Sequence, residues 1–330
     1  MKTILNRLIQ HEILDKEESK NILYNIADGQ YNTSQISAFL TVYMMRSISI
    51  KELEGFRDAL LELCVRINLD EYDPIDLCGT GGDNKDTFNI STLASFVTAG
   101  SGVNVAKHGN YGVSSNCGSS NVMEYLGIKF SNNETFLKKC IDQAGICILH
   151  APLFHPAMKN VAPIRKELAV KTFFNILGPM VNPSFPKHQI VGVFSLELAR
   201  IYGYLYQNSN KNFNIIHSLD GYDEISLTGS TKLISNIKEE LIEPKDLGLT
   251  ILKEEQIRGG DSIKSSAKIF IDILSGKGTK AQNQVVCANS AIAISTKMNI
   301  TLKEGYEKAK ESLVSGRAMN SLTSLQKLNS

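Results

Sequence analysis

Three short polar stretches hold the residues best suited to chemistry. The first is Gly79-Thr80-Gly81-Gly82-Asp83, which follows the apolar run IDLC at 75–78 and is followed in turn by Asn89-Ile90-Ser91-Thr92. Its glycines let backbone N–H groups close on an anion with no Cβ in the way, and they tolerate positive φ. Residues 89–92 read as the opening of a helix, which adds hydroxyls and the positive end of a helix dipole. Together these features describe a phosphate site. It is neither a P-loop, since Gly-x-x-x-x-Gly-Lys-Ser/Thr is absent, nor a dinucleotide fingerprint, since Asn84 stands where the next glycine would have to be.

The second stretch, VNVAKHGNYGVSSNCGSSNVMEYLG at 103–127, runs from a β-like segment through a Lys/Asn/Gly/Ser-rich turn into a helix. Lys107 offers an ammonium and Ser114, Ser115 and Ser119 offer hydroxyls to a second phosphate. Asn121 and Glu124 have capping-box spacing, which predicts a helix start there. The third stretch, LDGYDEISLTG, carries the adjacent carboxylates Asp223 and Glu224. Hard oxygen ligands beside a phosphate suit Mg²⁺, which binds through one or two carboxylates and keeps several waters. An acidic pair alone is usually a solvated surface feature; its position on a third strand-end loop gives it weight. Two anion-ready loops at neighbouring strand ends imply a ligand with phosphates at both ends.

The elements that must position these loops fall into two groups. Residues 1 to about 68 show four helical stripes: Ile4, Leu5, Leu8 and Ile9; Ile22, Leu23 and Ile26; Ile36, Phe39, Leu40, Tyr43 and Met44; Leu53, Phe56, Leu60 and Leu61. Asp15 with Glu18 and Ser49 with Glu52 sign two of the helix starts. Beyond Pro74, β-rich runs at 75–78, 103–107, 146–150, 189–195 and 213–219 alternate with helical stretches at 91–99, 121–127, 134–143 and 197–206. Alternation without hairpin turns predicts an α/β fold with a mostly parallel central sheet flanked by helices, and 260–326 is helical again. Ligands of such sheets bind beyond the carboxyl ends of the strands, where the glycine loops fall. Six of the eight prolines lie between Pro152 and Pro186 around the helix-like IRKELAVKTFFNILG. There the chain is expected to leave the sheet, add a helix or two to the N-terminal bundle, and return. The predicted domains are therefore a helical one at 1–70, joined by a helical segment around 165–187, and an α/β one at 71–330.

Composition narrows the class. A formal net charge of +1 lacks the basic excess of a nucleic-acid binder. Cysteines 64, 78, 117, 140, 147 and 287 form no CxxC pair, so free thiols in a reducing cytoplasm are expected. No segment approaches the roughly 20 apolar residues of a membrane span, and the N-terminus lacks the apolar core of a secretory signal. A cytoplasmic protein with neither nucleic-acid nor membrane partners is the expectation.

GTGGD, NIST, KHGN…SS…GS, HPAMKNVAPIRKEL, FNILGPMVNP and DGYDEIS occur in the order found in the anthranilate phosphoribosyltransferases of tryptophan biosynthesis, and the resemblance spans essentially the whole chain. It implies Mg²⁺-dependent transfer of a 5-phosphoribosyl group from phosphoribosyl pyrophosphate to anthranilate, with release of pyrophosphate. It further implies that Gly79, Gly82, Asp83, Thr87, Asn89, Ile90, Ser91 and Thr92 hold the phosphoribosyl pyrophosphate from one side. Lys107, His108, Gly109, Asn110, Gly112, Ser114, Ser115 and Ser119 would cover the other. Ser91, Asp223 and Glu224 would position magnesium, directly or through water, and Gly79, Asn110 and Arg165 would contact anthranilate. A guanidinium also matches the acceptor carboxylate on general grounds. Three positions depart from the family: Tyr111 replaces an arginine, removing a charge from the second loop, and Ser120-Asn121 replaces Ala-Asp.

His108 is expected to line the site, and His155 to begin a helix where it could wall the acceptor pocket; for both, as for His150, a structural hydrogen bond competes with proton transfer. No His-Asp or Cys-His relay is evident, so no catalytic acid or base is assigned and the chemistry is expected to be positional and electrostatic. The alternatives are a pyrimidine nucleoside phosphorylase-like enzyme, a non-catalytic nucleic-acid-binding relative and a purely structural bundle. The first two have no use for Asp223-Glu224, and the last leaves three polar loops unexplained. The wide apolar faces of the N-terminal helices predict a homodimer through that domain, as the family resemblance also implies.

Overall fold

A computed structural model describes residues 1–112 and 117–329; Ser114 and Ser115 lie outside the described residues. The chain opens with α1 (Lys2–Ile9), α2 (Lys16–Ala27), α3 (Thr33–Met45) and α4 (Ile50–Glu62). Asp15/Glu18 and Ser49/Glu52 close reciprocal capping boxes, and Asn32/Gln35 closes a third at α3. Leu8, Ile22, Leu23, Ile26, Ile36, Phe39, Leu40, Tyr43, Leu53, Phe56 and Leu60 are buried as the stripes predict. Ile9 and Met44, assigned to the same stripes, are instead 63% and 42% exposed.

The remaining elements are β1 (Ile75–Gly79), α5 (Ile90–Gly100), β2 (Val105–Gly109), α6 (Ser119–Tyr125), α7 (Glu134–Ala144), β3 (Ile146–His150), α8 (Ala151–Phe154), α9 (Ala162–Leu168), α10 (Phe174–Leu177), β4 (His188–Gly192), α11 (Leu196–Gln207), β5 (Asn212–Ser218), β6 (Thr231–Ser235), β7 (Glu239–Ile242) and α12 to α15 (Ile263–Leu274, Lys280–Met298, Leu302–Val314 and Arg317–Leu328). The seven strands form one sheet in the order β3-β2-β1-β4-β5-β6-β7, with β1 to β5 mutually parallel. The chain runs outward from β1 through β2 to β3, then returns to the other side of β1 as β4. Strand order therefore reverses at β1/β4, where doubly wound sheets open a crevice beyond their carboxyl ends.

Three expectations need correction. β6 and β7 are antiparallel, and a tight turn closed by Ser235 N–H on the Lys238 carbonyl joins them; with no Asn-Gly or Asp-Gly at that turn, the sequence pattern does not show the hairpin. The helix read through IRKELAVKTFFNILG is broken into α9 and α10, because Ala169 is left-handed at φ +52° and Thr172 N–H is bound by Asn175 Oδ1 at 3.0 Å. Asn121 does not cap α6. The cap is Gly118, and Asn121 Oδ1 accepts from Gly118 N–H at 3.0 Å and Gly112 N–H at 3.1 Å, folding the second loop back onto the helix start.

Two apolar cores result. One joins the N-terminal helices to Ala157, Val161, Ile164, Phe173, Phe174, Leu177 and Met180, and continues onto α11 and one face of the sheet through Val191, Val193, Phe213 and Ile215. The other lies between the opposite face, α5, α7 and the C-terminal helices. Burying both faces explains why the parallel strands read as short apolar runs. Among the described residues no single helix is long and apolar enough to cross a membrane.

Candidate active site

Gly79 ends β1 beside Gly192, its register partner at the end of β4. Both positions must be glycine for a reason outside the strands themselves, because the loop after β5 lies across their tips. A Cβ at Gly79 would stand 2.6 Å from Asp223 Oδ2, and one at Gly192 would stand 1.6 Å from the Asp223 carbonyl oxygen. The bare strand ends thus seat Asp223 and Glu224 directly over the glycine loop.

The loop turns through left-handed backbone at Gly81 (φ +62°), Gly82 (φ +80°) and Asn84 (φ +58°), the conformation that makes anion-binding concavities. Gly81 N–H donates to Asp223 Oδ2 at 2.7 Å and Ser91 N–H to Glu224 Oε1 at 3.2 Å, so the acidic pair occupies amides at the glycine turn and at the start of α5. Asn89 Nδ2 donates to the Cys117 carbonyl at 3.2 Å, tying the first loop to the second. There, Ser119 Oγ and Ser120 N–H both donate to the Asn110 carbonyl, each at 3.2 Å.

A cleft of about 480 Å³ opens between these loops. Gly79, Gly82, Asp83, Thr87, Asn89, Ile90, Ser91, Thr92, Lys107, His108, Gly109, Asn110, Gly112, Ser119, Arg165, Asp223 and Glu224 all line it, which is every described residue that the family resemblance assigns to substrate or metal. Its size is that of a small-molecule site.

The electrostatics of the floor are set by three carboxylates. Burial pushes Asp223 up to about 7, with the neighbouring Asp83 charge raising it further. Burial also raises Glu224 well above the usual carboxylate range, with repulsion from Asp223 second, and raises Asp83. Lys107 offsets the charge of Glu224 only in part and Lys171 that of Asp83, and a divalent cation would supply the remaining countercharge. Among the described residues no three His, Cys, Asp or Glu side chains converge as a ready-made metal cage. The donor set therefore fits Mg²⁺ held by one or two carboxylates with waters and substrate oxygens completing its shell, rather than a metal caged by protein alone.

Lys107 is almost fully buried, and its ammonium donates to the Leu77 carbonyl at 2.6 Å, so its charge acts from within the floor. Beneath it Asp76 substitutes for strand pairing. β1 and β2 pair only at Ile75 and Val105, and Asp76 Oδ1 then accepts from His108 N–H at 3.1 Å while Oδ2 accepts from Gln189 Nε2 at 3.1 Å.

Arg165 lines the same cleft with Phe174, Asn175, Gly178 and Pro179. Burial lowers the guanidinium to about 10. Its Nη2 donates to Asn175 Oδ1 at 3.1 Å and its buried Nε has no acceptor. No carboxylate among the described residues pairs with it, which leaves a desolvated cation facing a cavity. His108 Nδ1 lies 3.2 Å from the Gly178 carbonyl, which fixes the proton there and leaves a lone pair on Nε2. Burial holds His108 down at about 3 and His150 and His155 at about 4, so all three rings are neutral near pH 7.

Two histidines fall outside the cleft. His155 does not wall it: the ring is buried 5.4 Å behind His108 and precedes a short 3₁₀ turn, Pro156–Asn160, rather than a helix. His150 hydrogen-bonds Ser120 Oγ through Nδ1 at 2.9 Å and stacks on Phe130. Tyr111 lines the cleft, with its hydroxyl 3.3 Å from Glu124 Oε1 and its ring edge-on to His150. Phe174, Asn175, Gly178 and Pro179 also line the cleft without having been singled out in the FNILGP run, since three of them carry no polar side chain and Asn175 is a single amide among apolar residues.

Comparison with known proteins agrees with this geometry. Residues 2–64 match the helical bundle domain and residues 71–319 the a/b domain of a glycosyl transferase family. An anthranilate phosphoribosyltransferase of Flavobacterium johnsoniae is 70% identical over 329 residues, covering 100% of both chains. The crystal structure of anthranilate phosphoribosyltransferase from Thermus thermophilus superposes with a TM-score of 0.90 at 30% identity, covering 98% of each chain. The enzyme from Saccharomyces cerevisiae in complex with PRPP and Mg gives 0.89 at 28% identity, covering 98% of this chain and 96% of that one. The same yeast enzyme in complex with 4-fluoroanthranilate gives 0.87 at 26% identity with the same coverage.

Proposed function

The chain belongs to the glycosyl transferase family of the anthranilate phosphoribosyltransferases, and from that membership we propose that its cleft transfers the 5-phosphoribosyl group of phosphoribosyl pyrophosphate to the amine of anthranilate, a step of tryptophan biosynthesis. The observation that carries this reading is the seating of Asp223 and Glu224 on the glycine loop in a cleft that Arg165 also lines without a carboxylate partner. The acidic pair suits a metal-bound diphosphate and the unpaired guanidinium an aromatic acid.

In this reading Gly79, Gly82, Asp83, Thr87 and 89–92 hold the ester from one side. Lys107 to Asn110, Gly112 and Ser119 cover it from the other. Asp223 and Glu224, with Ser91 at the helix start, are the groups that would hold Mg²⁺. Bound there, the ion would supply positive charge to the departing diphosphate oxygens. The chain's own contribution is to orient the ribose between the two loops and to offer preorganised donors where charge develops. Arg165 would take the anthranilate carboxylate as a planar fork, with Gly79 and Asn110 closing on the acceptor. The amine lone pair forms the new bond to the anomeric carbon, the bond to the diphosphate oxygen breaks with its electron pair, and the amine then loses a proton. That proton can pass to solvent or to the released diphosphate, so no side-chain base is assigned to it.

Replacing Arg165 by Ala is expected to raise KM for anthranilate about 10- to 100-fold, the range for a charge-assisted hydrogen bond lost in a desolvated site, with KM for phosphoribosyl pyrophosphate nearly unchanged. Steady-state kinetics with each substrate varied in turn measures this. An R165A enzyme with unaltered anthranilate kinetics would remove the assignment.

A homodimer through the helical domain accords with the exposure of Ile9 at the end of α1, Ile13 just after it, and Met44 and Met45 at the end of α3, the last 81% exposed. A single-chain mass by light scattering would contradict it. The unbonded cysteines accord with a cytoplasmic enzyme.

A further inference from the structure

We infer that Lys171 is a positioning residue of the phosphoribosyl pyrophosphate subsite: its ammonium clamps the glycine loop from outside so that the loop's free amides face the cleft, an inference that rests on the reading of the cleft given above. After α9 the chain reverses at Ala169 and brings Lys171 onto the loop. The ammonium donates to the Gly82 carbonyl and, at 2.6 Å, to Asn84 Oδ1. Its stem lies over the bare Cα of Gly82, where a Cβ would meet Lys171 Cδ and Cε at 3.4 Å.

Gly82, Asp83 and Asn84 line the cleft, whereas Lys171 does not. The peptide bonds are trans, so the carbonyl of Gly82 and the N–H of Asp83 point in opposite directions within one plane. With the carbonyl turned outward to the ammonium, the Asp83 N–H is turned inward. Among the described residues neither that N–H nor the N–H of Gly82 has an acceptor. A loop with left-handed backbone at residues 81, 82 and 84 has little local preference for this one shape, and an external tie selects it. The segment that carries Lys171 is anchored separately, since Asn175 Oδ1 accepts from both Thr172 N–H at 3.0 Å and Arg165 Nη2 at 3.1 Å. Removing the ammonium therefore leaves the acceptor end in place.

The test compares K171M and K171R with the unaltered protein. K171M is expected to raise KM for phosphoribosyl pyrophosphate about tenfold, in line with loss of charge-assisted hydrogen bonds, while KM for anthranilate stays within about twofold on the same grounds. K171R is expected to recover most of the affinity. In the ligand-free protein K171M is expected to speed amide hydrogen exchange across residues 81–85. Unchanged exchange there, or a KM for the ester equal to that of the unaltered protein, would overturn the inference. So would an equal rise of both KM values together with a lowered Tm, which marks a merely structural lysine. The exchange readout needs no ligand; failure of the unaltered protein to bind the ester would instead overturn the cleft reading and leave the clamp to be judged by exchange.

Discussion

D223N and E224Q enzymes are each expected to lose about 10²- to 10³-fold in kcat/KM, the cost of removing one preorganised electrostatic group, and to need more Mg²⁺ for half-maximal rate. The amide at 223 keeps an oxygen for Gly81 N–H, which now binds Asp223 Oδ2 at 2.7 Å, so the loop retains its shape while the charge is lost. Stability should move the other way. Burial raises Asp83, Asp223 and Glu224, and repulsion from neighbouring carboxylates adds to it for Asp223 and Glu224, which means the folded, metal-free protein holds their charges at a cost. Neutralising one of them should leave Tm of the metal-free protein unchanged or higher. Rate measurements across a Mg²⁺ series, paired with thermal melts in chelator, separate these effects. Wild-type kinetics in both variants, or a lower metal-free Tm in both, would contradict the floor described above.

G192A should be as damaging without touching a polar group. A methyl at this position would sit 1.6 Å from the Asp223 carbonyl oxygen and 2.7 Å from the Asp223 carbonyl carbon, and both belong to backbone that cannot rotate aside. The loop after β5 would have to lift off the strand tips and carry both carboxylates with it. Displacement by about 1 Å in a positional site can cost about 10²-fold in rate, and overpacking of this kind typically costs about 1–3 kcal/mol in stability. The same change at Gly79 meets the movable carboxylate of Asp223 at 2.6 Å and should be milder. Kinetics and melts of both variants decide this; a G192A enzyme with full activity and unchanged Tm would show that the strand ends do not fix the acidic loop.

The glycine loops were legible because backbone chemistry leaves a compositional trace: Gly79, Gly81 and Gly82 stand out whatever follows them. Asp223 and Glu224 were legible as a pair, and Arg165 as a cation in a matched motif. The reason for Gly192 was not, because its partner is a backbone carbonyl 31 residues on, brought over it only by the β5 crossover. Lys171 was equally silent, since one lysine after a helix has the look of any solvated charge. Asn121 misled because capping spacing is met at residue 121 although Gly118 does the capping. The β6–β7 hairpin was hidden by a turn without glycine. Short-range patterns reported each element's own preference; Gly192 and Lys171 were missed because a distant segment sets their role, the hairpin and the α6 start because their turns lack the usual residue signals.

The most direct measurement is calorimetric titration of phosphoribosyl pyrophosphate into the protein near pH 7, with and without Mg²⁺, in two buffers of different ionisation heat. Asp223 is raised to about 7, so part of the population carries a proton there that must leave before the carboxylate can meet a cation. The expected result is one site per chain, strong only with Mg²⁺, with net proton release that fades as the pH is raised above that range. Absence of binding under either condition, or metal-independent binding without proton release, would contradict a site built on carboxylates seated over a glycine loop.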